Sequence, residues 1–396
     1  MRGYKTTSTT TAALALTAAL LAAATACAHG PVGTTPVEGR APGKEARAPF
    51  TLVATGDILP HDSVIAQAKL DAGGDGHDFR PMLAGVKPVI SGADLAICHM
   101  ETVYGPAGGP YTGYPSFVSP PELAAAARAT GYDSCSTASN HTLDAGFPGV
   151  SRTLDALDAA GVAHTGSART PAEARRPAML EAGGATVAQL AYTYGTNGIP
   201  APPDQPWAVN ITDPERIVED ARRARRAGAD IVVVSLHWGT EWQDAPDATQ
   251  RRLARELTAS RSAGAPDVDL ILGTHAHVPQ AYEKVNGTWV VYGMGDQIAG
   301  RMINHAGARD PRGNQGTIAR FTFTPPARDS ARWRVTKAEY LPQLMDHDGA
   351  GPPRVVDLDA EMADGEAPER YRSVRDRISD VVLSRGAGDD GLITPR

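Results

Sequence analysis

The chain has 396 residues, 42% of them hydrophobic, with 45 acidic and 38 basic side chains and a net charge of −7. That length suits one large domain or two small ones, and the apolar share is enough for a sizeable core. No basic stripe with interleaved aromatics appears, which argues against nucleic acid as a partner.

Residues 1–27 read as an export signal. Arg2 and Lys5 give a positive start, and Ala12 to Ala24 form an Ala/Leu-rich run too short for a convincing membrane span. The run ends Ala24-Thr-Ala-Cys27, small residues before a cysteine as in a bacterial lipobox, with Ala24 where Leu is usual. The expectation is a lipoprotein held on the outer face of the cell membrane by a lipidated Cys27. The alternative is a signal peptide cut after an Ala-x-Ala-like site, giving a secreted protein. Residues 1–26 carry Arg2 and Lys5 and no acid, so their removal takes the net charge from −7 to −9. Residues 28–49, rich in Gly, Pro and Ala without periodicity, read as a flexible linker. With Cys27 taken, Cys98 and Cys135 remain; both fall in predicted strands and read as two buried free thiols rather than a pair. There is no CxxC, hence no cysteine-type zinc site.

The folded part opens with Phe50-Thr-Leu-Val-Ala-Thr-Gly-Asp57, a β-rich run closed by a carboxylate after glycine, a common metal-ligand placement. His61 and Asp62 follow, either lining the same cleft or as plain loop residues with Asp62 as a helix cap. Asp94-Leu-Ala-Ile-Cys-His-Met-Glu101 repeats the pattern. His99 and Glu101 are two apart in extended chain and so face one way. Residues 105–121 form a long Gly/Pro/Tyr-rich loop of the kind that shapes access to a site.

A helix from Pro121 ends at Gly131, and Tyr132 to Thr137 is a strand. It leads into Asn140 and His141, with Asp144 three residues on. If a helix starts there, Asp144 lies beside His141 and fixes its tautomer; a capping role is the plainer reading of Asn140. Ser151 to Ala160 reads as a helix and Ala185 to Tyr194 as a strand. Asn197, between glycines, reads equally as a ligand contact or an ordinary turn. Asp213-Pro-Glu starts a helix, and its basic run Arg222 to Arg226 reads as a solvated helix end. Asp230-Ile-Val-Val-Val-Ser-Leu-His237 is the most apolar strand, closed by a histidine before Trp238-Gly239. A helix over Asp247 to Gly264 precedes Leu270-Ile-Leu-Gly-Thr-His275-Ala-His277, whose two imidazoles lie two apart at a strand's end. Trp289 to Tyr292 is a strand followed by a further acid, Asp296. Thr317 to Phe323 and Trp333 to Leu341 read as a hairpin at a sheet edge, Glu369 to Ser384 as an amphipathic surface helix, and the last residues as a frayed tail.

Asp57, Glu101, Asn140, His141, His237, His275 and His277 therefore gather at strand ends. Mixed oxygen and nitrogen ligands without thiolate suit Mn, Fe or Zn, and the number of candidates suits two ions better than one.

These residues resemble the CapA family, named for poly-gamma-glutamate (capsule) synthesis and itself similar to calcineurin-like metallophosphoesterases. The resemblance rests on Gly56-Asp57, Met100-Glu101, Ser139 to Gly146, Ser235 to Gly239, Gly273 to Gln280 and Tyr292 to Asp296. It implies an α/β fold, a four-layer α/β/β/α sandwich of the metallo-dependent phosphatase type, over residues 50–345, with 346–396 as a C-terminal extension. It implies Asp57, Glu101, Asn140, His237, His275 and His277 as ligands of two divalent metal ions, with Glu101 as the bridging acid. His141, oriented by Asp144, would be the leaving-group acid. His61, His99, Asn197, Trp238 and Asp296 are expected around substrate or behind the ligands. The chain departs from the pattern in three places. His99 and Asp296 stand where Asn is usual, and the Asp-x-His of classical metallophosphoesterases is absent, since Ile58 and Leu59 follow Asp57.

The leading functional expectation is an exported metal-dependent phosphoesterase acting on a small phosphoester or a cell-envelope polymer. The alternatives are a non-enzymatic accessory protein of polymer synthesis, working in a synthase complex, and an amide hydrolase or epimerase on the same scaffold.

Overall fold

The computed structural model describes residues 47–394 apart from 328–331, 364 and 366. Residues 1–46, with the expected signal, Cys27 and most of the linker, lie outside the described residues. Among the described residues no helix is long and apolar enough to cross a membrane.

The chain builds one sheet, leaves it for a second, and returns to the first. The first pass gives strand β1 (Phe50–Leu59), helices α1 (Asp62–Asp71) and α2 (Lys87–Ser91), and β2 (Leu95–Met100). The short strands β3 (Val103–Tyr104) and β4 (Val118–Ser119) then brace the 105–121 loop. Next come α3 (Glu122–Thr130), β5 (Ser134–Ser136), α4 (Gly146–Ala160) and β6 (Ala163–Thr165). Strands β1, β2, β5 and β6 run parallel in that spatial order. The second pass gives α5 (Pro171–Ala174), β7 (Ala178–Ala182), β8 (Ala185–Thr193), α6 (Pro214–Arg226), β9 (Ile231–His237) and α7 (Ala248–Ala259). A two-stranded turn follows, β10 (Arg261–Ser262) with β11 (Ala265–Pro266), then β12 (Leu270–Thr274), β13 (Tyr282–Val285) and β14 (Thr288–Val291). The second sheet has the order β13-β14-β12-β9-β8-β7. The chain re-enters the first sheet as β15 (Asp296–Ala299), β16 (Gln315–Thr324), β17 (Arg334–Asp346) and β18 (Arg354–Asp357), and ends with α8 (Leu358–Ala363), α9 (Glu369–Leu383) and β19 (Leu392–Ile393).

Alternation of side chains across each strand puts one set between the sheets and the other under helices. Leu52, Ile97, Phe321, Val187, Val233, Leu272 and Val291 meet in the core between the two sheets. Val53, Ala96, Cys98 and Ile318 pack under α1 to α4, and Val232, Val234, Ile271 and Val290 under α6 and α7. The result is the expected α/β/β/α sandwich.

The helix signals hold. Asp213 caps α6 through the Glu215 and Arg216 amides, with Pro214 at its first position, and Gly131 ends α3 in the left-handed region (φ 118°). A strand-start signal also emerges. Asp94, Asp133, Asp230 and Asp269 each precede a strand, and each carboxylate accepts from a backbone amide of the neighbouring strand: Thr51, Ala96, Thr186 and Val232, at 2.7, 2.9, 3.1 and 2.7 Å. Four side chains thus fix the register of four parallel pairs.

Several expectations are corrected. The helix before the His-Ala-His strand ends at Ala259, because residues 261–266 turn as a hairpin. Cys98 and Cys135 are not free thiols: they are paired in register across β2 and β5, with Cα atoms 4.4 Å apart, and form a disulfide. The β16–β17 hairpin is not at the edge, since β18 pairs outside it. The tail is not frayed over Leu392–Ile393, which pair with β17. The basic end of α6 is not merely solvated: Arg222 pairs with Asp267 (3.0 Å) and Arg225 with Asp269.

Candidate metal centre

Both sheets present the carboxyl ends of their parallel strands to one place. Strand β1 delivers Asp57, β2 delivers His99 and then Glu101, the turn after β5 delivers Asn140 and His141, and β9 ends in His237. Strand β12 ends at Thr274 and continues into His275 and His277, both with left-handed backbone (φ 91° and 57°). Such torsions are uncommon for non-glycine residues and cluster at functional sites. Here they turn the two imidazoles inward, leaving the rings 6.1 Å apart. Asp296 opens β15 beside Asp57, its register partner in β1. Gly56 permits that crossing, since a Cβ there would lie 1.7 Å from the Gly295 carbonyl oxygen.

Asp57 is the hub. It accepts from the His275 backbone amide (3.1 Å), and its oxygens lie 3.6 Å from His99 Nε2, 4.0 Å from His237 Nδ1 and 3.7 Å from His277 Nδ1. Two groups have mutual spacings that would hold a cation: Asp57 with His99 and His237, and Asp57 with His277 and Asp296. Asp57 is common to both. Glu101 comes within 3.7 Å of His237 Nε2, which is 2.9 Å from the Asn140 amide oxygen. Polar neighbours fix two of the rings: His99 Nδ1 lies 2.7 Å from Ser136 Oγ, and His237 Nδ1 lies 3.1 Å from Thr274 Oγ1.

The cluster is almost wholly out of water, and that dominates its electrostatics. Burial, with Asp296 alongside, pushes the Asp57 carboxyl well above its ordinary range; burial, with Asp57 alongside, does the same to Glu101. Burial raises Asp296 to about 6, with His277 opposing. Burial takes His99 down to about 3 and also lowers His237 and His275. For His277 burial again works downward, but the carboxylates of Asp296, Glu101 and Asp57 outweigh it and the ring ends well above its usual value.

Five buried polar atoms of this cluster have no hydrogen-bond partner: His99 Nε2, both Glu101 carboxylate oxygens, His275 Nδ1 and Asp296 Oδ2. Buried polar atoms are seldom left orphaned, and buried carboxylates need a counter-charge. Carboxylate oxygens and imidazole nitrogens at the spacings of these two groups are the donor set of a divalent first-row metal, so the residues present fit such an ion.

Beside the centre opens a cleft of about 500 Å³ whose walls include His141, His277, Phe117, Trp242 and Met302. His141 Nδ1 is 2.6 Å from Asp144 Oδ2. The contact arises in a tight turn, because α4 begins only at Gly146 rather than spanning Asp144 as a helix start would. The same oxygen accepts from the Phe117 amide (2.7 Å), tying the 105–121 loop to His141. Across the centre, the Tyr194 ring lies 4.5 Å from that of His275, and burial raises its hydroxyl to about 12.

The six expected ligands come together with His99 and Asp296, and these last two each stand in one of the two groups built on Asp57. His61 lines the cleft, with burial lowering it to about 4. Two expected residues do not join. Asn197 sits on an exposed turn (φ 50°), and Trp238 is packed beneath the second sheet with its indole N–H on the Tyr292 carbonyl. Sequence reasoning missed Glu241, Trp242, Phe117 and Tyr194. Glu241 lies 4.0 Å from His275 Nε2 and 3.1 Å from His305 Nε2. Glu241 and Trp242 stand four and five residues past the end of β9, so following the strand-end pattern further into the loop would have reached them.

The family described as bacterial capsule synthesis protein PGA_cap matches residues 51–301. The PGA biosynthesis protein CapA of Bacillus subtilis is 33% identical over 164 residues, 41% of either chain. The capsule biosynthesis protein CapA of Bacillus anthracis is 27% identical over 181 residues, 45% of this chain and 42% of that protein. The chain thus spans less than half the length of these relatives. Among solved structures, the calcineurin-like phosphoesterase YfkN of Bacillus subtilis superposes with a TM-score of 0.39 at 15% identity, over 85% of this chain and 98% of that one.

Proposed function

The chain belongs to the bacterial capsule synthesis protein family PGA_cap, and from that premise we propose that it is a metal-dependent phosphoesterase of the cell envelope. The observation that carries this reading is the set of five orphaned buried donor atoms around Asp57, beside a cleft walled by a His–Asp pair. Asp57, Glu101, Asn140, His237, His275 and His277 would hold two divalent ions, joined by His99 and Asp296. Bound there, such ions supply Lewis-acid polarisation of a phosphoryl oxygen and a nucleophilic water at neutral pH. The chain's own residues supply the rest. The sandwich holds the donors on rigid strand ends and keeps bulk water out. Asp144 accepts a hydrogen bond from Nδ1–H of His141, so when the ring carries both protons its Nε2–H is the one left to protonate a departing ester oxygen in the cleft. Export through residues 1–27, with anchoring at Cys27, is part of the proposal and would place the site outside the membrane.

The deciding experiment is elemental analysis of the full chain beside a His275→Ala/His277→Ala variant, followed by an aryl phosphate panel. Close to two equivalents of Mn, Fe or Zn, lost in the variant along with hydrolysis, is the expected result. Metal-replete protein that turns over no phosphoester sinks the catalytic reading.

The relatives' names speak of PGA and capsule biosynthesis, which supports a second reading, that of a non-enzymatic accessory protein in such synthesis. Complementation of a deletion strain by the metal-site variant would select it.

A further inference from the structure

We propose that the cleft beside the metal centre selects esters whose leaving group is a neutral, apolar alcohol, gripped between Phe117 and Trp242. The proposal rests on the assignment of His141 as proton donor to that group. His277 and His141 both line the cleft, so an ester held at the centre directs its departing oxygen into it.

One wall of that space is apolar. The Phe117 ring lies 4.8 Å from His141, edge to face, and packs with Leu59, Ala299 and Met302 into a small cluster that Trp242 joins. On the lips, Tyr114 and Ile303 are 75% and 54% exposed. Large exposed apolar groups gathered at one cleft mark a binding surface, unlike isolated ones.

Trp242 is set in place at a cost. Its backbone is left-handed (φ 67°), a conformation that bulky side chains avoid, and its amide is held by the Ala276 carbonyl (2.9 Å). Gly313 clears room for the ring, since a Cβ there would lie 2.8 Å from Trp242 Cζ3. Packing against that cluster covers only part of the ring, since Trp242 stays partly exposed. Strain maintained beside a site points to use there.

The charged groups of the cleft do not invite a second anion. Arg301 is engaged by the His347 carbonyl and by Asp348, which Arg309 shares, His305 faces Glu241, and Glu241 adds negative charge. A polyanionic leaving group finds only cations that are already engaged, whereas an aromatic or hydrocarbon alcohol meets complementary surface.

The test measures binding of benzylphosphonate, dodecylphosphonate and methylphosphonate to the metal-loaded full chain by calorimetry, with inorganic phosphate as reference. The apolar phosphonates should bind at least about tenfold tighter than methylphosphonate. Benzyl preference would indicate an aromatic alcohol, and dodecyl preference a hydrocarbon chain. Trp242→Ala and Phe117→Leu should each remove most of that preference relative to phosphate. Equal affinity for the three, or a preference that survives both substitutions, overturns the proposal. If neither phosphate nor any phosphonate binds, the phosphoester reading falls, and benzyl alcohol and dodecanol then test the cleft alone. Trp242-dependent binding of either sustains it, and its absence overturns it.

Discussion

One carboxylate oxygen, Asp144 Oδ2, holds two things at once: the His141 ring and the Phe117 amide. If His141 protonates the departing oxygen, its removal matters in proportion to how much the leaving group needs that proton. His141→Asn should lower kcat/KM for alkyl phosphates by roughly 10²–10⁴-fold, and far less for p-nitrophenyl phosphate, whose leaving group departs unaided. Asp144→Asn should follow the same pattern more weakly. A loss equal across leaving groups would show that His141 only shapes the site. At this scale the sequence was informative where chemistry and spacing coincide. Asp57, Glu101, Asn140, His237, His275 and His277 end apolar runs, and His141 and Asp144 are three apart. It was silent on Phe117 and Trp242, whose position depends on a loop tied down by a residue 27 positions away and on a glycine at position 313.

At the scale of elements, the parallel strands were legible as apolar runs, but their register was not. Register is fixed by the aspartates at the strand starts, whose partners lie 37 to 44 residues away in sequence. These locks should differ in strength with burial. Asp94 is exposed and accepts from the Thr51 amide and hydroxyl, so Asp94→Ala should cost about 1 kcal/mol. The Asp269 carboxylate is largely covered beside Arg225, and removing it takes away the charge paired with a mostly covered guanidinium, leaving it backbone carbonyls. Asp269→Ala should therefore cost about 3 kcal/mol or more. Denaturant unfolding of the two variants checks the ranking, and equal midpoints would refute it. The Cys98–Cys135 pair was illegible for a related reason: adjacency of β2 and β5 is a tertiary fact that two isolated cysteines in separate strands do not announce.

At the scale of the molecule, the local pattern concealed the return of the chain to its first sheet. Residues expected as a C-terminal extension contribute β18 and β19 to that sheet, and Tyr371, Ile378 and Val382 of α9 to the inter-sheet core. This brings α9 to the back of the cleft. Arg377 donates to Gln315 and, through one nitrogen, to both oxygens of Asp244 at 2.8 Å, and Arg312 reaches the same carboxylate at 3.1 Å. Asp244 follows Trp242 by two residues, so the C-terminal helix braces the loop that carries the strained tryptophan. The pair is partly exposed, with Arg377 at 27% and Asp244 at 40%, and screening limits what it adds to global stability to about 1 kcal/mol or less. Its local effect should be larger, because the loop must hold Trp242 in a conformation it would otherwise leave. Arg377→Ala and Asp244→Ala are each expected to shift the melting temperature by no more than a few degrees, yet to weaken benzylphosphonate binding several-fold while phosphate binding changes less. In a double-mutant cycle the two losses should overlap rather than add, since each removes the same brace. Additive losses would mean that Arg377 and Asp244 act separately and that α9 has no hold on the cleft.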